Sequence, residues 1–67
     1  MARFKFFLIG TNESPVLEME AATLRQLNED LSRNRFIEGQ MVEINGHGED
    51  RGVLIPTARI QLVVEAD

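Results

Sequence analysis

The chain contains no cysteine. That removes disulfides and thiolate metal sites, and it fits a reducing cytoplasm, the expected location. There is one histidine, so no histidine cluster can form. Lysine is nearly absent. Of seven basic side chains only Lys5 is a lysine, against eleven acids and a net charge of −4. This balance argues against a protein dominated by phosphate binding and favours solubility. Long apolar runs are missing too. Phe6 to Ile9 is a run of four, far below the roughly 20 residues of a membrane helix. Met1 to Gly10 has an apolar part too short for a signal peptide, and Asn12-Glu13 follows directly.

Known chemical motifs are also lacking. No phosphate loop, dinucleotide fingerprint, nucleophile elbow or zinc spacing occurs. Gly46, Gly48 and Gly52 lack the following helix that would hold a pyrophosphate. Ser14 and Ser32 have no base near them in sequence. His47 sits among glycines beside Glu49 and Asp50, but a metal needs three or four placed ligands and general catalysis needs a partner and a pocket. It reads as a solvated loop tip. The expectation is no catalytic residue, no metal, no cofactor and no enzymatic activity. No internal repeat, low-complexity tract or linker is present, so residues 1–67 read as one domain.

What the chain does have is one amphipathic helix, from Thr23 to Arg33. Leu24, Leu27 and Leu31 fall at i, i+3 and i+7 and share one stripe, which Ala21 extends backwards. Thr23 and Gln26 match a capping box. Glu29 precedes Arg33 by four residues, the favourable order for an ion pair. Asn34 suits a left-handed stop. A longer helix starting at Ser14-Pro15 competes with a strand over 16–20. The strict alternation of Leu17-Glu18-Met19-Glu20-Ala21 favours the strand.

The remainder reads as strand and turn. Residues 2–9 place Phe4, Phe6 and Leu8 on one face and Arg3, Lys5, Phe7 and Ile9 on the other. Gly10 to Pro15 is a turn cluster closing a hairpin. Residues 35–44 form a strand whose alternation breaks near Gly39, where a bulge or sharp bend is expected. Asn45 to Gly52 reads as a long turn, despite the Asn-Gly hairpin signal. The last segment reads as a strand at 52–55, a turn at 56–58 around Pro56 and a strand at 59–65. Val53-Leu-Ile-Pro-Thr-Ala-Arg-Ile-Gln-Leu-Val63 resembles the last two strands of Sm-like small barrels. The resemblance covers about a dozen residues of strand-turn-strand, and Sm-like proteins place their helix first. No function is carried over from it.

The fold expected is α+β, ββαββ with the last strand split at Pro56: a curved, mainly antiparallel sheet with one helix on its apolar face. A 67-residue chain buries only about 60% of its unfolded surface. Without staples, oligomerisation is the expected aid. Apolar residues at outward parity, Phe7, Ile9 and Val63, are the candidate self-association contacts. The function expected is a non-catalytic binding or assembly module, a homo-oligomer or partner of another protein, with no membrane contact. The alternative is a small nucleic-acid-binding regulator with a local patch of Arg3, Lys5, Arg33, Arg35 and Arg59.

Overall fold

The structure is a computed structural model that describes residues 1–66. Five strands and one α-helix follow in the order β1 (Ala2–Leu8), β2 (Val16–Met19), α1 (Leu24–Arg33), β3 (Phe36–Ile44), β4 (His47–Pro56), then a 3-10 turn (Thr57–Arg59) and β5 (Ile60–Glu65). The sheet order is β4-β3-β2-β1-β5, and every neighbouring pair is antiparallel. The expected small α+β fold is therefore present, with the last strand split just after Pro56.

A covalent constraint curls this sheet. β4 and β5 lie at opposite edges, four strand spacings apart, which is about 19 Å in a flat sheet. Yet Pro56 and Ile60 are joined by the three residues of the 3-10 turn, a link that reaches at most about 14 Å. The edges must bend toward each other. Accordingly Ile55 of β4 and Ile60 and Val63 of β5 join one apolar cluster with Phe4, Phe6, Leu17, Met19, Ile37 and Met41. Thr57 fixes the corner. Its Oγ1 donates to the carbonyls of Asn34 and Arg35 at 2.9 and 3.0 Å, and its N–H donates to the Arg35 carbonyl at 2.8 Å.

The cluster is centred on Phe4, Phe6, Leu17 and Leu27, all essentially inaccessible to solvent. Each such side chain contributes roughly 1.5–3 kcal/mol on burial. The face Phe4–Phe6–Leu8 points inward as its alternation predicts, and Leu17 and Met19 point inward on β2. The helix differs from expectation. Leu27 is fully buried, Leu31 only partly, and Leu24 is 41% exposed. Leu24 is the first helical residue, so its side chain overhangs the end of the cluster. Leu27 and Ala21, with part of Leu31, carry the packing of this segment in place of an even three-leucine seal.

The helix caps confirm the chemistry and correct one detail. Thr23 Oγ1 accepts from Gln26 N–H at 3.2 Å, while Gln26 Oε1 accepts from Ala22 N–H at 2.7 Å. Arg33 and Glu29 approach to 3.9 Å. Asn34 is extended (φ −123°), not left-handed. It stops the helix with its side chain, Nδ2 donating to the Asp30 carbonyl at 2.8 Å.

Two turn assignments change. Asn45 and Gly46 both have positive φ, 52° and 82°, and Ile44 pairs directly with His47. This is a two-residue hairpin turn of the primed kind, whose twist matches the strands it joins. The long turn expected over 45–52 is therefore strand from His47 onward. Gly39 is not a bulge: it pairs in register with Val53, and the ladder slips between Met41 and Glu43 instead. Its role is close approach. A Cβ there would lie 2.5 Å from Met19 Sδ, 3.0 Å from Leu17 Cδ2 and 3.3 Å from the Glu18 carbonyl oxygen.

Gly39→Ala should destabilise the fold by about 1–3 kcal/mol through overpacking. Gly48→Ala, whose new Cβ meets nothing within 4 Å, should shift stability by less than about 0.5 kcal/mol. Urea unfolding of the two variants beside the parent checks this; equal midpoints would contradict the packing role of Gly39.

Candidate functional site

β5 is where sequence parity and structure part. Its register against β1 runs Phe4↔Glu65, Lys5↔Val64, Phe6↔Val63, Phe7↔Leu62 and then Leu8↔Ile60. Gln61 is the extra residue of a bulge, and a bulge of one residue inverts the faces on either side of it. Ile60 is inward with Leu8. After the bulge Val63 is inward with Phe6, and Leu62 and Val64 turn outward. Val63, expected on the outer face, thus packs against the core cluster. Leu62 and Val64 occupy the positions expected of it, and sequence alternation counted straight through from Ile60 could not show this.

Phe7 and Ile9 do lie at outward parity. Phe7 is half-buried and Ile9 is 48% exposed. Leu62 at 53% and Val64 at 37% stand beside them. The register places Phe7 opposite Leu62 and Lys5 opposite Val64, so these side chains form one apolar patch on the outside of β1 and β5. The Lys5 ammonium lies 5.5 Å from the Phe7 ring centroid. That placement partly covers the ring and leaves the charge at the patch rim.

The two edges of the sheet are defended unequally. β4 carries Glu49, Asp50 and Arg51 and ends at Pro56, the charges and proline that discourage pairing with another strand. Asp50 is held by Gln40 Nε2 at 2.6 Å and Glu49 faces Arg51 at 3.6 Å. β5 reads Ile-Gln-Leu-Val-Val-Glu. It has no lysine or proline, and its single charge is at the last position.

The five basic residues of the alternative site are not gathered. Arg3 is paired with Glu18 at 3.5 Å and Arg33 with Glu29 at 3.9 Å. Lys5 lies over Phe7. Arg35 follows the helix, and its carbonyl is held by Thr57. The Arg59 carbonyl accepts from Ile9 N–H at 2.7 Å, six residues and about 20 Å along β1 from Arg3.

Two clefts mark the surface. One of about 420 Å³ lies where β1 and β4 converge and is lined by Leu8, Ile9, Leu54, Ile55, Pro56 and Arg59. Another of about 520 Å³ lies beside α1 and carries Glu18, Glu20, Asp30 and Glu38. Among the described residues no cluster of His, Cys, Asp or Glu has the grouping of a metal site, and no charged side chain is buried. His47 is exposed at the start of β4. No helix among the described residues is long and apolar enough to cross a membrane.

No protein-family model, curated protein or solved structure gives a significant match to the chain.

The scattered and partly paired arginines lead to a clear expectation for nucleic acid. A fluorescein-labelled oligonucleotide titrated with the protein in a low-salt buffer should show no salt-dependent binding. Binding whose affinity falls steeply as salt is raised would restore the arginine patch as the functional surface.

Proposed function

We propose that the protein is a non-catalytic assembly module that associates with itself through its sheet. The observation that carries this reading is the coincidence on β5 of an undefended edge with exposed Leu62 and Val64, beside Phe7 of β1, with Ile9 just past that strand's end. An apolar patch at a strand that can still accept a neighbour is what strand-addition interfaces combine: main-chain hydrogen bonds for affinity and alternate side chains for selectivity. The size of the chain supports the same reading: the inner face takes up most of the large apolar side chains, and among the described residues β5 stands at the edge of the sheet. Two-fold association is the commonest arrangement for a homo-oligomer.

An edge of six residues buries an area at the small end of specific interfaces, below about 1,200 Å². Association is therefore expected at micromolar rather than nanomolar concentration. In sedimentation equilibrium the parent should associate over tens to hundreds of micromolar. Leu62→Glu should weaken association by about tenfold or more, a loss of roughly 1.4 kcal/mol. Leu54→Glu, at a leucine on β4 that is more exposed than Leu62 (63% against 53%), should leave it unchanged. A parent that stays monomeric across the whole range removes the proposal.

A further inference from the structure

We infer that the partner strand is the β5 of a second copy, running antiparallel with Val63 opposite Val63 on the two-fold axis. This rests on the self-association proposed above and specifies its register.

The backbone decides which groups are available. Ala66 N–H donates to the Arg3 carbonyl at 3.0 Å. In an antiparallel ladder, hydrogen-bonded and non-bonded pairs alternate. Lys5↔Val64 and Phe7↔Leu62 are then the bonded pairs, and Phe4↔Glu65 and Phe6↔Val63 the non-bonded ones. Phe6 provides an independent check, since its N–H donates to the Pro15 carbonyl at 2.9 Å on the opposite side of β1. The N–H and C=O groups of Val63 and Glu65 consequently point away from β1, along the free edge. These are the groups that a further strand would engage.

Symmetry decides the register. A two-fold axis perpendicular to the sheet keeps outer face beside outer face, and it requires one residue to oppose its own copy. With Leu62 on the axis, Ile60 would oppose Val64. The bulge has turned these two to different faces, so the pairing fails. With Val64 on the axis, Val63 of the inner face would oppose the Glu65 carboxylate. With Val63 on the axis the three central pairs agree in face, Leu62 with Val64 outside and Val63 with itself inside. Leu62 meets the second copy's Val64 twice, joining four exposed apolar side chains into one outer strip. Val63 meets itself through two reciprocal backbone hydrogen bonds. Of the three registers this one alone sets the outer Leu62 and Val64 of both copies in direct pairs without placing Val63 against a carboxylate, which is the argument for a second copy as the occupant.

The chain has no cysteine of its own, so introduced thiols report cleanly. Leu62 and the second copy's Val64 would form a non-bonded pair, with Cα atoms about 4.5 Å apart. Like positions, 62 with 62 or 64 with 64, would be diagonal at about 7–8 Å, beyond disulfide reach. Leu62→Cys and Val64→Cys replace exposed side chains. Mixed and mildly oxidised, they should give a disulfide-linked heterodimer, resolved by mass, in several-fold excess over either homodimer. Amide exchange of the parent supplies a second measurement. Leu62 and Val64 amides should be protected at every concentration, and Val63 and Glu65 amides only as the protein is concentrated. A parent that self-associates while the mixture links no better than either variant alone overturns the register and leaves self-association standing. A parent monomeric at every concentration overturns both.

Discussion

A three-residue link determines the shape of this molecule. Thr57–Arg59 joins strands that sheet order puts at opposite edges, and a chain that short cannot cross a flat five-stranded sheet. Curling is therefore obligatory, and the single apolar cluster follows from it. Phe4 and Phe6 on β1 can share one cluster with residues of both edges only because the edges have been drawn inward. Thr57 holds the corner by bonding to the residues that lead from α1 into β3. One turn thus couples the helix exit, the start of β3 and both edge strands.

Curling also divides the labour between the two sides of the sheet. The inner side takes most of the bulky side chains, including part of α1. The outer side is left with a mixture: ion pairs such as Arg3–Glu18 over β1 and β2, and an apolar zone over β1 and β5. The helix contributes less cover than its amphipathic pattern suggests: of its ten residues Leu27 enters the cluster fully, Leu31 in part, and Leu24 stays largely outside. In the proposed self-association a second copy would cover what the curl leaves open along β5.

Where one face is buried, sequence was a good guide. The alternation in β1 and β2 and the Thr23–Gln26 cap could be read directly because each reflects a local period or a local hydrogen bond. The first half of β4 could not. His47 to Gly52 is largely exposed on both faces, so no alternation marks it, and its glycines and charges imitate a loop. What holds it in place is the ladder with β3 and the primed turn at Asn45-Gly46. The parity of β5 was hidden for a different reason. A bulge is fixed by the partner strand, and Gln61 looks like any other polar strand residue until Phe7 and Leu8 are laid against it. The basic residues were legible as types but not as a group, since Arg3 and Arg59 are separated by most of the length of a strand that sequence spacing cannot orient.

The extra residue in β5 has a consequence for the chain as something copied and altered. Because Gln61 is the residue without a partner on β1, loss of its single codon would leave Leu8↔Ile60 and Phe7↔Leu62 as successive pairs of a regular ladder, with Leu62 and Val64 still outside and Val63 still inside. The strip on the open border would survive that loss, and only the local kink would go. The extra residue is thus what lets Ile60 and Val63, three apart in sequence, share the inner face.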